Sequence, residues 1–220
     1  MSAGAVGTTR ALAGTQGAHP AQMRELALFD FDGTLTTCET FPAFIKHVLP
    51  KSRLRAGWLR LWPLVLGYRL RLVSGTRLRA AIIRLGFAGS AVDAVEQAGL
   101  RFAAEYLPGV LREDAMTRLD WHRQRGDRVL VVSGGLGLYL RPWAAAQGLE
   151  LLCSELEVVD GILSGGFAGA QCVGAEKARR VCERVDVAAF VQVHAYGDTP
   201  EDAELLALAD RRHYRGRSLD

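Results

Sequence analysis

With 220 residues, 49% of them hydrophobic and 23% charged, the chain has an ordinary globular composition and room for one large domain or a domain with a modest insert. Four scattered cysteines (Cys38, Cys153, Cys172, Cys182) without a Cys-x-x-Cys pair, and five histidines without metal-ligand spacing, suggest neither a zinc site nor a disulfide framework. A reducing cytoplasm is the simplest compartment to expect. The net charge is only +3, but it is unevenly spread, and three lysines stand among twenty-four arginines, so the position of each lysine carries information.

Residues 1–24 have no periodic apolar pattern and no basic start followed by an apolar core. They read as a disordered leader or a mis-called start rather than a secretory signal. The run Leu26-Ala27-Leu28-Phe29 then leads straight into Asp30, with Asp32 and Gly33 behind it. A short continuous apolar run ending in a turn signal predicts a buried strand of a parallel sheet, and ligands of such sheets sit beyond the carboxyl ends of the strands. Two acids two residues apart on an extended backbone start on the same face, and hard oxygen ligands suit Mg²⁺.

Residues 37–106 predict a helical insert. Leu54, Trp58, Leu61, Trp62, Val65 and Leu66 recur at helical spacing, with Pro63 and Gly67 expected to split the segment into two shorter helices. Thr76 is expected to cap a helix ending near Gly86, and Ser90 with Asp93 to form a capping box for a helix reaching Tyr106. Beyond the insert, a helix over 109–125 precedes a strand over 128–132 that stops at Ser133-Gly134-Gly135. A helix over 136–147, a hairpin over 154–167 around Asp160-Gly161, a helix over 175–185, a strand over 191–196 and a helix over 200–209 complete the pattern. The expected fold is α/β: a Rossmann-like, mostly parallel sheet with helices on both faces, formed by residues 25–36 and 107–220, plus a small all-helical cap over 37–106 inserted after strand one. No internal repeat is present, and the longest apolar run of the insert, 61–66, is far short of the ~20 residues a bilayer requires.

Three predicted strand ends carry polar groups: Asp30 with Asp32, then Ser133, then Asp198. Lys177 opens a helix between the second and third. These residue types suit phosphoryl transfer. One carboxylate attacks phosphorus, a second moves protons, a third completes Mg²⁺ coordination, and a hydroxyl and an ammonium hold the phosphoryl oxygens.

Asp30-x-Asp32-Gly-Thr, Val132-Ser133-Gly-Gly, Lys177 and Gly197-Asp198-x-x-x-Asp202 resemble, in order, the four signatures of the haloacid dehalogenase-like hydrolases. The resemblance runs from about Leu26 to the C-terminus and is nearest to the phosphoserine-phosphatase-like branch, whose helical cap follows the first strand. It implies Asp30 as nucleophile and Asp32 as general acid/base. It also implies Mg²⁺ on the side chains of Asp30 and Asp198 and the backbone carbonyl of Asp32, with Asp202 supporting the metal through water. Ser133 and the Gly134 N–H would hold the phosphate, and Lys177 would steady nucleophile and phosphate. Glu39, nine residues after Asp30, stands where phosphoserine phosphatases place a Glu that contacts the substrate's amino group. Thr199-Pro200-Glu201 departs from the usual fourth motif, and residues 211–215 stand where related chains often carry another strand and helix. Neither departure removes a predicted catalytic group.

Residues 40–92 hold ten Lys or Arg and no acid, with Trp58 and Trp62 one helical turn apart. Such a segment suits either a small phosphorylated substrate or a peripheral anionic membrane surface at the inner face of the membrane. The main expectation is therefore a cytoplasmic Mg²⁺-dependent phosphomonoesterase acting on a small phosphorylated metabolite such as phosphoserine. The alternative is a lipid-phosphate (phosphatidylglycerophosphate-like) phosphatase docking through its basic cap. A receiver-type phospho-acceptor domain is disfavoured, because it accepts phosphate on a later strand and carries no such insert. No nucleic acid is expected, since no binding motif supports it, and oligomeric state is open.

Overall fold

The computed structural model describes residues 25–219; the leader expected over residues 1–24 lies outside them. The apolar run Leu26–Phe29 is a strand, β1, with all four residues buried, as a central strand between two helical layers requires. Four helices follow: α1 (Thr40–Val48), α2 (Lys51–Arg69), α3 (Gly75–Phe87) and α4 (Val92–Glu105). Then come α5 (Glu113–Gln124), β2 (Arg128–Leu136), α6 (Gly137–Gln147), β3 (Glu150–Ser154) and a hairpin of β4 (Leu156–Val159) and β5 (Ile162–Phe167). The chain closes with α7 (Ala175–Arg184), β6 (Val193–Gly197), the short α8 (Ala203–Leu206), β7 (Arg211–Tyr214) and β8 (Arg217–Ser218).

The main sheet has the order β3-β2-β1-β6-β7-β8, parallel throughout except for the last pair. The α/β, mostly parallel architecture read from the sequence is therefore observed. Alternate residues of β1 enter different cores. Leu26 and Leu28 pack with Leu130, Val132 and Ala195 against Val181 of α7 and Leu205 of α8. Ala27 and Phe29 join the larger core, which takes in Leu119 of α5, Tyr139 and Trp143 of α6, and Phe44, Ile83, Phe87 and Phe102 of the helices after β1. Ring centroids of Phe44 and Tyr139 lie 4.7 Å apart, and those of Phe102 and Tyr139 5.3 Å. Each such fully buried side chain contributes about 1.5–3 kcal/mol, and together they fasten α1 and α4 to α6.

The chain leaves and regains the sheet through two adjacent connections. The Thr37 N–H donates to the Val110 carbonyl (2.8 Å), the Arg112 N–H to the Leu35 carbonyl (2.8 Å), and Thr36 bridges Leu111.

Several local expectations are corrected. Residues 51–69 form one helix that runs through Pro63. Pro63 leaves the Leu59 carbonyl without its helical donor, at a residue that is 73% exposed, where a lost backbone partner costs least. Helix α3 is capped by Ser74, whose Oγ accepts from the Arg77 N–H at 3.3 Å, rather than by Thr76. The Ser90–Asp93 capping box does not form: the N-cap is Ala91, and the Val92 N–H is taken by the Gly161 carbonyl of the β4–β5 turn (2.9 Å). A long-range backbone acceptor has displaced the local side-chain cap. Strand β2 continues past Ser133 to Leu136, with a register shift against β3 between Val132 and Leu136. The helix expected over 109–125 begins at Glu113 behind a 3₁₀ turn, and the one over 200–209 shortens to a 3₁₀ turn and α8. Residues 211–214 add a parallel strand beside β6. Among the described residues, no helix is long and apolar enough to cross a membrane.

Candidate active site

Strand order reverses at β1, whose neighbours β2 and β6 lead the chain outward in opposite directions, and the crevice beyond the carboxyl ends of these strands is where an open α/β sheet binds ligands. Asp30 directly follows β1 and is anchored to the neighbouring strand by its own N–H, which donates to the Tyr196 carbonyl at 2.9 Å. Its side chain is buried. Lys177, in the first turn of α7, is buried too, and its Nζ lies 2.5 Å from Asp30 Oδ1 and 2.5 Å from Asp202 Oδ1. The other Asp202 oxygen accepts from the Asp198 N–H (3.0 Å), the Thr199 N–H (3.0 Å) and the Thr199 hydroxyl (3.1 Å). Asp202 thus shapes the loop that carries Asp198 and orients Lys177.

Asp198 follows β6 and is approached from the other side by the turn after β1. Thr34 Oγ1 donates to it at 3.4 Å. Gly33 has φ +79°, and a Cβ there would collide with the Asp198 carboxylate, so only glycine lets these loops close. Carboxylate oxygens of Asp30, Asp198 and Asp202 all lie within 4.8 Å of one another. Both Asp202 oxygens are occupied by donors, which leaves Asp30 and Asp198 with oxygens to offer a cation.

The electrostatics fit a hard divalent ion. Burial pushes the Asp30 carboxyl up to about 7, against the pull of Lys177. Burial also raises Asp198, with repulsion from Asp202 adding to it. Carboxylates made costly by burial and crowding are stabilised by a bound cation. Burial alone would push Lys177 down, but Asp30 and Asp202 outweigh it and hold the ammonium above its ordinary value.

Asp32 is held differently. Its Oδ1 accepts from the Thr40 N–H (2.9 Å) and the Thr40 hydroxyl (2.6 Å), and Thr40 Oγ1 lies 3.0 Å from the Tyr139 hydroxyl. Thr40 is the first residue of α1, so its N–H is one of the donors a helix start leaves without an intrahelical partner. Burial raises the Asp32 carboxyl, while the Thr40 contacts lower it. With Oδ1 fixed, Oδ2 is the oxygen available to exchange a proton.

A cavity of about 550 Å³ is lined by Asp30, Asp32, Glu39, Gly134 and Lys177, so five of the predicted residues share one space. Asp198 lines an adjoining hollow of about 310 Å³. Asp202 sits behind Lys177. Ser133 is fully buried and lines neither space; its Oγ accepts from the Gly135 N–H at 3.0 Å, leaving its own O–H to donate. Glu39 faces the cavity, its carboxyl raised first by burial and then by Asp32. Four lining or supporting residues escaped the sequence reading. Arg79 of α3 donates to the Gly134 carbonyl (3.4 Å) and stacks over Phe41. Tyr68 of α2 also lines the cavity. Thr40 and Tyr139 hold Asp32. Thr40 carried a signal, an acid eight residues upstream of a helix start, whereas Arg79 was one basic residue among ten.

Acids beyond two neighbouring parallel strands, with a buried lysine from α7 between Asp30 and Asp202, form one acidic cluster at the carboxyl ends of the sheet. The chain belongs to the haloacid dehalogenase-like hydrolases, whose family profile matches residues 27–207. The protein CicA of Caulobacter vibrioides (strain NA1000 / CB15N) is 34% identical over 213 residues, covering 94% of this chain and 91% of the relative. Among solved structures, a protein of unknown function from Bordetella pertussis Tohama I superposes with a TM-score of 0.74 at 22% identity, covering 87% of this chain and 89% of that one. A substrate-bound phosphoserine phosphatase gives 0.64 at 20% identity over 87% and 85% of the two chains. A phospho-aspartyl intermediate analogue of phosphoserine phosphatase gives 0.63 at 20% identity over 87% and 86%. The chain is thus an enzyme of a hydrolase family whose solved phosphatase members share its fold.

Proposed function

We propose that the chain is a Mg²⁺-dependent phosphomonoester hydrolase that works through an aspartyl-phosphate on Asp30, acting on a small phosphorylated metabolite such as phosphoserine. The observation that carries the reading is the division of labour between two buried acids in one cavity: Asp30 is held by an ammonium, Asp32 by a hydroxyl and an N–H. The Lys177 contact favours the ionised, nucleophilic form of Asp30. The neutral Thr40 donors fix Asp32 in place and leave it able to carry a proton.

An Asp30 oxygen attacks phosphorus as the P–O bond to the leaving alkoxide breaks, and protonated Asp32 gives that alkoxide its proton. Asp32, now a carboxylate, takes a proton from water. The water oxygen attacks the phosphorus, the bond to Asp30 breaks, and inorganic phosphate leaves. Asp30 and Asp198 would hold Mg²⁺, which would neutralise charge on the phosphoryl oxygens. Lys177 and the Gly134 N–H are the chain's own donors to that charge, while Ser133, which lines neither space, fixes the turn beneath them through the Gly135 N–H. Glu39 and Arg79 on the cavity wall offer an anion and a cation to a substrate bearing an ammonium and a carboxylate, which supports a phosphorylated amino acid over an uncharged alcohol phosphate.

Asp30→Asn should abolish hydrolysis of a generic phosphomonoester with the circular dichroism unchanged. Acid-quenched wild-type protein should carry one phosphoryl group on the peptide containing Asp30. Wild-type turnover in the variant would overturn the assignment. A screen of phosphorylated metabolites with Mg²⁺ present tests the substrate, and no preference for phosphoserine over simple alkyl phosphates would remove that part of the reading.

A further inference from the structure

Helix α2 is nineteen residues long and buries none of them. A helix lying against a protein core presents a stripe that disappears from water, and here the inner side only lines a shallow groove with α1 and α3, through Leu54, Leu61 and Val65. The outer side carries Leu59 (73% exposed), Trp62 (53%) and Leu66 (48%) at helical spacing, and the turn that follows adds Leu70 (60%) and Leu72 (77%). That turn is built rather than frayed: the Leu72 and Val73 N–H groups both donate to the Gly67 carbonyl, at 2.8 and 3.2 Å. Arg55 and Arg69 fall on the same outer side, in register with Leu59, Trp62 and Leu66.

The charge of the segment that carries this face is unbalanced. Residues 40–92 contain ten basic side chains and no acid, and none of the ten forms an ion pair among the described residues. Elsewhere eight arginines are paired with acids, among them Arg128 with Glu150, Arg141 with Glu155 and Arg180 with Glu176. A second copy of the chain would bring the same positive face against itself. An exposed row of Trp and Leu flanked by unpaired arginines matches an anionic bilayer, which takes the apolar side chains into its headgroup boundary and the cations onto its surface charge.

We propose that the outer side of α2, with the turn to Ser74, is a peripheral docking surface for anionic phospholipid bilayers. The proposal is independent of the chemistry assigned to Asp30. Full-length protein should co-sediment with vesicles of phosphatidylglycerol and phosphatidylcholine, and not with phosphatidylcholine alone. A basic residue near such a surface contributes ~1 kcal/mol, so Arg55→Gln/Arg69→Gln should weaken partitioning about 30-fold. Leu59→Ser/Trp62→Ser/Leu66→Ser should abolish it, with phosphomonoester hydrolysis in solution and circular dichroism unchanged in both variants. Failure of the intact protein to bind phosphatidylglycerol vesicles would overturn the proposal. So would equal binding to both vesicle types, or a concentration-dependent dimer that the Leu59/Trp62/Leu66 variant converts to monomer.

Discussion

Replacing Lys177 by Met keeps the length of the side chain and removes its charge. The ammonium is 2.5 Å from both Asp30 and Asp202, and all three side chains are buried. Without it two buried carboxylates face each other with no cation between them, and the loop organised by Asp202 loses the group it was built against. Breaking a buried ion pair from one side costs about 3–5 kcal/mol. For a chain of this size that corresponds to a fall in Tm of about 6–20 °C. Thermal and urea unfolding followed by circular dichroism, in chelator at neutral pH, measure the loss. Adding Asp202→Asn to the Met variant should recover part of it. The Asn oxygen keeps the N–H groups of Asp198 and Thr199, and its amide can donate toward Asp30, so the two substitutions should be strongly non-additive. A Met variant within 1 kcal/mol of wild type, or a double variant that merely sums two losses, would refute the account (1 kcal/mol being about twice the scatter expected of additive sites).

His122 is fully buried, its Nδ1 2.9 Å from Asp127 and its Nε2 2.9 Å from the Tyr196 hydroxyl, and burial pushes it down from 6.5 to about 4. Between those values the unfolded chain binds a proton that the folded chain does not, so stability should fall by roughly 3 kcal/mol as pH drops from 6.5 to 4; His122→Gln should flatten that slope in urea titrations, and an unchanged slope would count against it. Gly33→Ala places a Cβ where the Asp198 carboxylate sits, at φ +79°. It should raise the Mg²⁺ needed for half-maximal hydrolysis by about tenfold and lower stability by about 1–2 kcal/mol; an unchanged Mg²⁺ titration would show that the close approach is not required.

Asp30, Asp32 and Asp198 were legible in the sequence because each sits at the end of an apolar strand, a feature that a few adjacent residues determine. Lys177 was legible because a lysine is rare in this chain and stands at a helix start facing the same edge. The failures have a common cause. Ser90 has the right neighbours for a capping box, yet the backbone of a turn seventy-one residues later takes the N–H it would have helped to organise. Pro63 is a helix breaker by local rule, and only the exposure of Leu59 makes it harmless. Arg79 reaches Gly134 across fifty-five residues of chain, and no periodicity distinguishes it from the other basic residues of its segment. Local rules brought these residues to one rim of the sheet; contacts between the inserted helices and the sheet decided what surrounds them.

The arrangement of charge supports the different roles proposed for two acids so close in sequence. Asp202 is matched by Lys177 and by three neutral donors, so it adds little net charge to the cavity. Asp30, Asp32 and Asp198 remain, all raised by burial. On the proposed reading one dication balances Asp30 and Asp198, the two acids with uncommitted oxygens beside each other. Asp32 lies outside that pair, and its contacts come from a hydroxyl and an N–H, which stabilise its charge less than an ammonium does. On the same reading Asp32 is the acid that carries the proton and Asp30 the one left ionised. On that reading a phosphomonoester meets a nucleophile already charged and an acid already loaded, and neither state has to be created during the reaction.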